Sequence, residues 1–174
     1  MKLMRLASVM DNEMNILILD FDGVITTFCP HPGHERIYVF DQHLDDKFIP
    51  CLAKNVAKLC KKYDLKIVVS SAWREYYKFY ELEHILKYMK IDAELIDITT
   101  SYTLDDNYDK NRGRQVQNWT SNNEHDLLLI LDDNRHAGYM NESFFVLCDK
   151  NKGFDDEAFA KAEIILDSQI KLVP

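Results

Sequence analysis

Two acidic pairs in this chain each follow an apolar run. Asp20-Phe21-Asp22-Gly23 comes directly after Ile16-Leu17-Ile18-Leu19, and Asp132-Asp133 directly after Leu127-Leu128-Leu129-Ile130-Leu131. A third run, Ile67-Val68-Val69, ends in Ser70-Ser71. In a parallel sheet the carboxyl ends of the strands share one edge, and ligands bind there at the topological switch point. Four carboxylates and a hydroxyl would then converge on one crevice. Carboxylates crowded in this way repel each other, and Mg²⁺, which prefers oxygen ligands, is the cation they suit. The bland alternative for Asp20 and Asp22 is a solvated turn, but two carboxylates at a buried strand end cost stability unless they are paired. Asp132-Asp133 alone would equally well cap a helix; the first pair tips the reading toward a shared site.

The elements that must position these residues follow from hydrophobic patterning. Short runs that are apolar throughout suit interior strands of a parallel sheet covered on both faces. Leu95-Ile96-Asp97-Ile98 is a weaker run of this kind and Phe144-Phe145-Val146-Leu147 a fifth. Between them, residues 46–63 carry Phe48, Leu52, Val56 and Leu59 at helical spacing, and residues 73–89 carry Tyr77, Tyr80, His84, Ile85 and Tyr88. Residues 115–119 make a short helix and 155–165 a C-terminal one, with Phe159 inward. Strand and helix alternate, which predicts a three-layer, doubly wound α/β sandwich. Residues 26–45 break the alternation; with Ile37-Tyr38-Val39-Phe40 among Gly, Pro and His they read as a hairpin-like flap over the sheet edge, too short for a lid domain.

Composition sets the outer bounds. The 174 residues suit one domain over 1–174, and with 47% apolar and 29% charged residues they can bury a core without disulfide or metal staples. The net charge of −8 argues against broad, sequence-blind binding along a nucleic-acid backbone, though not against a small basic pocket for one phosphate. No run approaches a bilayer span, and the opening MKLMRLASVMDNEMN lacks a signal-peptide core. Cys29, Cys51, Cys60 and Cys148 form no CxxC pair. A soluble, cytoplasmic protein with reduced thiols and no membrane partner is the expectation. Cys29-Pro30-His31-Pro32-Gly33-His34 has no second ligand pair at zinc spacing and reads as a turn-rich loop.

Asp20-Phe21-Asp22-Gly23-Val24-Ile25 after an apolar strand resembles the first motif of haloacid-dehalogenase-type (HAD) phosphohydrolases. Ser70 resembles the second motif, Arg112 opening a helical stretch the third, and Asp132-Asp133 the fourth, all in the family's order. Val69-Ser70-Ser71-Ala72-Trp73-Arg74, Arg112-Gly113 with Trp119, Leu131-Asp132-Asp133-Asn134 and Gly153-Phe154-Asp155 resemble the capless HAD domain of RNA-repair-type multidomain proteins. The resemblance implies strand order 3-2-1-4-5 without a large cap, and a Mg²⁺-dependent phosphatase. It further implies Asp20 as nucleophile, forming an aspartyl-phosphate, and Asp22 as acid and base. Asp20, Asp132 and the backbone carbonyl of Asp22 would hold Mg²⁺ with help from Asp133. Ser70 would bind a phosphoryl oxygen, and Arg112 would neutralise the transferring group. Many relatives carry Lys at the third motif, and Lys110 and Arg114 lie close to Arg112. Arg112 is preferred because it directly precedes Gly113 and the helical run; Arg114 is the fallback.

Several neighbours admit two readings. Ser70 and Ser71 cap the helix at Trp73, bind phosphate at its N-terminus, or do both. Trp73 is either core or a stacking platform for a base, and Arg74 either meets a substrate phosphate or pairs with a nearby carboxylate. Capless relatives often have open sites that admit bulky substrates, so a phosphorylated nucleic-acid end is the first substrate expectation. A nucleotidase or other small-molecule phosphatase is the alternative. A phospho-accepting receiver module fits worse, because receivers take phosphate at the third strand and here the DxD sits on the first. A catalytically inactive binding module is disfavoured because all the expected side chains are present.

Overall fold

The computed structural model describes residues 13–100, 111–135 and 143–171. Five parallel strands form the central sheet: β1 (Asn15–Leu19), β4 (Lys66–Val69), β5 (Leu95–Ile98), β6 (Leu127–Asp132) and β7 (Phe145–Leu147). Their spatial order is β5-β4-β1-β6-β7. Counting only these five in chain order, that is 3-2-1-4-5, as the family resemblance implied. The switch point falls at β1, between β4 and β6.

Side chains alternate between two buried faces, which is why the strands are apolar throughout. Leu17, Leu19, Ile67, Val69, Leu129 and Leu131 face α1 (Pro50–Tyr63), α2 (Phe79–Tyr88) and α4 (Asp156–Ile170). Ile16, Ile18, Val68, Leu128 and Ile130 face α3 (Arg112–Asn122) through Val116 and Trp119. The result is a sheet between two helical layers, with no cap domain among the described residues, an HAD-like Rossmannoid sandwich.

Between β1 and α1 the chain forms an antiparallel hairpin of β2 (Glu35–Val39) and β3 (Gln42–Phe48). Phe40 and Asp41 both adopt positive φ in its two-residue turn, the twist that a tight hairpin requires. The hairpin packs on α2, where Phe40 meets Tyr80 and His84 and Phe48 meets Tyr88, rather than along an edge strand.

Element boundaries shift from the sequence expectation for local reasons. The helix expected over 46–63 begins only at Pro50, whose fixed φ suits a first helical position, while 46–48 complete β3. The segment 73–89 divides into a 3-10 turn, Ala72–Glu75, and α2, whose start is fixed by the Glu81 carboxylate accepting from the Lys78 N–H. The short helix expected at 115–119 extends over Arg112–Asn122, because Asn111 caps it by accepting from Arg114 N–H at 3.1 Å. The C-terminal helix runs five residues further than expected, to Ile170. No helix among the described residues is long and apolar enough to cross a membrane.

Gly153 locks the β7–α4 connection against the loop that follows β1. Its φ is +70°, and a Cβ there would overlap Leu52 Cδ1 and sit 2.6 Å from Val24 O. The next residue, Phe154, is fully buried and donates its N–H to that same carbonyl at 2.8 Å. Gly153→Ala is therefore expected to destabilise the fold by about 2–3 kcal/mol, from backbone strain and overpacking together. Calorimetry should register a melting point lower by roughly 5–10 °C; an unchanged melting point would show that the loop relaxes freely.

Candidate active site

The strand register builds the site. Leu131, Leu19 and Val69 are partners across β6, β1 and β4, and Val69 pairs with Ile98 of β5. One residue further along, each chain leaves or ends its strand with a polar side chain. Asp132, Asp20, Ser70 and Thr99 thus form a row across four strands, each at most 2% exposed. Asp20 N–H donates to Leu131 O at 3.0 Å, Ser70 N–H to Leu19 O at 2.9 Å, and Thr99 N–H to Val69 O at 2.9 Å. By the alternation of the strands, Asp20 follows Ile16 and Ile18, Ser70 follows Val68, and Asp132 follows Leu128 and Ile130. The row therefore belongs to the face that α3 covers.

The first residue of α3 is Arg112. Its Nη1 lies 2.5 Å from Asp20 Oδ2 and 3.4 Å from Asp132 Oδ2, bridging the two carboxylates. Asp20 Oδ1 accepts from Phe21 N–H at 2.7 Å, and Asp132 Oδ1 from Asn134 N–H at 2.8 Å. Burial first, and the Asp132 charge second, push the Asp20 carboxyl up to about 7, against the pull of Arg112 and of a hydrogen bond from Ser71. Burial also raises Asp133, with Asp132 adding to it.

Carboxylate oxygens of Asp20, Asp132 and Asp133 lie within 4.8 Å of one another. These are hard oxygen donors, and one guanidinium against three carboxylates leaves an excess of negative charge that a divalent cation would cancel. The donor set fits Mg²⁺. Gly23 makes room for it: its φ is +71°, and a Cβ there would sit 2.5 Å from Asp133 Cβ, Cγ and Oδ2.

The Asp22 side chain is not one of these three donors. Its carboxylate accepts from Trp73 Nε1 at 3.1 and 3.2 Å, and burial raises its pKa against that bond. Trp73 is 4% exposed, edge-on to Phe21 at 4.8 Å and 87°, so it holds Asp22 from within the core. Arg74 donates to Ser71 O at 2.7 Å and to Gln115 Oε1 at 2.5 Å, joining the turn after β4 to α3. The Ser71 hydroxyl accepts from Trp73 N–H, and the Ser70 hydroxyl, in the row beside Asp20, accepts from Thr99 at 3.2 Å.

Arg114, the fallback for the third motif, is exposed on α3, and Lys110 lies outside the described residues. Thr99 and Gln115 carry parts of this arrangement that the sequence reading missed. Thr99 had a signal, since it ends its apolar run as Asp20 and Ser70 end theirs. Gln115 had none, because only the helix packing brings it to Arg74.

The sheet order, the acid pair after the first strand and the acid pair after the fourth sheet strand define an HAD-like domain, a class of phosphohydrolases. The family model described as the HAD domain in Swiss Army Knife RNA repair proteins matches residues 16–159, and the chain belongs to that family. No curated protein and no solved structure matches it.

Mg²⁺ at about a hundred times its dissociation constant adds about 2.7 kcal/mol of stability. For a chain of this size that raises the melting point by roughly 5–10 °C. Asp132→Asn should abolish this rise, while its metal-free melting point equals or exceeds that of the wild type, because a buried like-charge contact is relieved. A full Mg²⁺ response in Asp132→Asn would exclude the three-carboxylate site.

Proposed function

We propose that the chain is a Mg²⁺-dependent phosphomonoesterase that works through a phosphoryl-Asp20 intermediate and acts on phosphorylated nucleic-acid ends. The observation that carries this reading is the row Asp132–Asp20–Ser70 with Arg112 bridging its two acids. A lone buried nucleophile would be silenced by protonation, and a lone arginine would have no attacking partner. Here both stand within contact distance at one strand end.

In the first half-reaction an Asp20 oxygen attacks phosphorus, and the bond to the leaving alcohol oxygen breaks as that oxygen takes a proton from the Asp22 carboxyl. In the second, the Asp22 carboxylate takes a proton from water as the water oxygen attacks the same phosphorus. Inorganic phosphate departs and Asp20 is restored. Phe21 N–H holds Asp20 Oδ1, which fixes the direction of attack. Arg112 offsets the negative charge of the phosphoryl group, and the Ser70 hydroxyl, which accepts from Thr99, donates to one of its oxygens. Asp20, Asp132 and Asp133 would hold Mg²⁺, which supplies charge neutralisation where the dianionic phosphate meets the nucleophile. Trp73 keeps Asp22 aimed and Arg74 keeps the Ser71 turn against α3; both act by positioning. The chain 1–174 is read as one such domain, with 26–45 as a flap beside the site.

The family's description as RNA repair proteins, together with the absence of a cap among the described residues, supports a nucleic-acid end over a small metabolite. Release of phosphate from 3′- and 5′-phosphorylated oligonucleotides and from mononucleotides should be measured with Mg²⁺ and with EDTA. Asp20→Asn, nearly isosteric, should fold normally and lose activity by roughly a thousand-fold or more. Activity that persists in Asp20→Asn or in EDTA would refute the mechanism, and a clear preference for mononucleotides would refute the substrate.

A further inference from the structure

An open cleft of about 650 Å³ begins at Asp22 and Trp73 and is walled by the flap, including Phe28, His31, His34 and Lys47. Phe28 stands out in this wall. Its ring is 65% exposed, although the fold buries most of its aromatic side chains at least in part. Its backbone is nonetheless pinned: Phe28 N–H donates to Lys150 O at 2.9 Å, and the neighbouring Cys29 Sγ donates to Asn151 Oδ1 at 3.2 Å. The loop after β7 thus holds the flap, and the Lys150 ammonium lies 5.8 Å from the Phe28 ring centroid. A large apolar ring kept in water on a tethered backbone, beside a cation and on the rim of a polar cleft, matches how single-stranded nucleic acids are held: bases stack on aromatics while cations meet the backbone.

Charge in the cleft narrows the choice. Lys47, His31 and His34 face Asp22, Asp45 and Asp46, so the cleft is mixed in sign. Asp46 is engaged by the Tyr77 hydroxyl, which donates to it. His34 is held below its ordinary pKa by burial first, then by His31 and Lys47, so these three groups lie within one another's field. A polyphosphate would meet three carboxylates here. A neutral base and sugar would meet none of that repulsion.

We propose that this cleft is the leaving-group subsite of the site described above, taking a nucleobase joined through its sugar to the scissile phosphate, with Phe28 as the stacking face. This rests on the phosphatase reading and deepens it. Phe28 is then a specificity-determining residue, and it tells a nucleotide ester from a ring-free phosphomonoester by binding rather than by chemistry.

The test compares wild type, Phe28→Ala and Phe28→Trp on three substrates: a 3′-phosphorylated tetranucleotide, a nucleoside 3′-monophosphate and glycerol phosphate. Phe28→Ala should raise KM roughly ten-fold for nucleotide substrates with kcat little changed, leave glycerol phosphate within two-fold, and be rescued by Phe28→Trp. An effect on the tetranucleotide alone assigns the subsite to chain ends, and one on the monophosphate alone assigns it to free nucleotides. Equal effects on all three substrates, or none, would overturn the proposal. A parallel arm measures anisotropy of the fluorescent tetranucleotide in EDTA. If the wild type hydrolyses none of the three, the phosphatase reading fails and this arm decides the subsite. Ten-fold weaker binding by Phe28→Ala would then keep it, and equal binding, or none by the wild type, would remove it.

Discussion

Two carboxylates buried side by side repel each other, and the C-terminal edge of the sheet is organised around offsetting that repulsion. Asp20 and Asp132 follow partnered residues of neighbouring parallel strands, so the register itself forces them together. Water cannot screen them, since both are almost fully buried. The offset comes from one guanidinium and from backbone N–H groups of Phe21 and Asn134, and the negative charge they leave over suits the cluster to a divalent cation. Arg112 is available only because α3 covers that face and begins directly above the row. The helix that packs the core through Val116 and Trp119 is therefore also the device that delivers the charge. Buried Trp119 is itself anchored to the sheet, donating from Nε1 to Asp97 Oδ2 at 2.6 Å.

Much of this was legible in the sequence because it is encoded by local order. An apolar run followed at once by Asp or Ser places a polar group at a strand's end whatever the details of packing, and that is why Asp20, Ser70 and Asp132 could be read together. The sheet order followed only from the resemblance that those motifs carry. What sequence could not carry was contact between side chains far apart in the chain. Trp73 reads as a buried aromatic, yet its indole N–H ends on Asp22, 51 positions away. Arg74 reads as a phosphate ligand or the partner of a nearby carboxylate; it lies 3.8 Å from Glu75 and also reaches Gln115, 41 positions away. The two adjacent serines are alike as letters, and only the turn at the end of β4 decides that the Ser71 hydroxyl meets Trp73 N–H while Ser70 meets Thr99. Helix limits were misjudged where a single residue decides them, Pro50 at one start and Asn111 at another.

These long-range contacts share a direction. Trp73 and Arg74 sit next to each other in a single 3-10 turn and pull on opposite sides of the site, one on the loop after β1 and the other on α3. The acidic residues cluster where strands pass into loops, and loops are the least rigid parts of such a fold. A turn that hydrogen-bonds to both neighbours makes three separate segments move as one. The precision that the proposed attack on phosphorus would demand is then supplied by packing in the core, through Phe21 and Trp73, rather than by the loops' own stiffness.

The net charge of −8 looks at first like an obstacle to any phosphorylated substrate. Screening removes most of that difficulty. At physiological ionic strength exposed charges separated by more than about 8 Å scarcely feel each other. A phosphate at the sheet edge therefore responds to its immediate surroundings, not to the acidic residues elsewhere on the surface. Those surroundings are Arg112 and the cation that Asp20, Asp132 and Asp133 would hold, with Lys47 and Lys150 along the flap. The same reasoning limits what can bind. Arg112 and a divalent cation at the three carboxylates would neutralise one phosphate, while a long duplex would run onto a surface of net charge −8 and gain nothing. An acidic protein whose positive charge at the site would be supplied so locally suits the proposed strand end better than a strand's length.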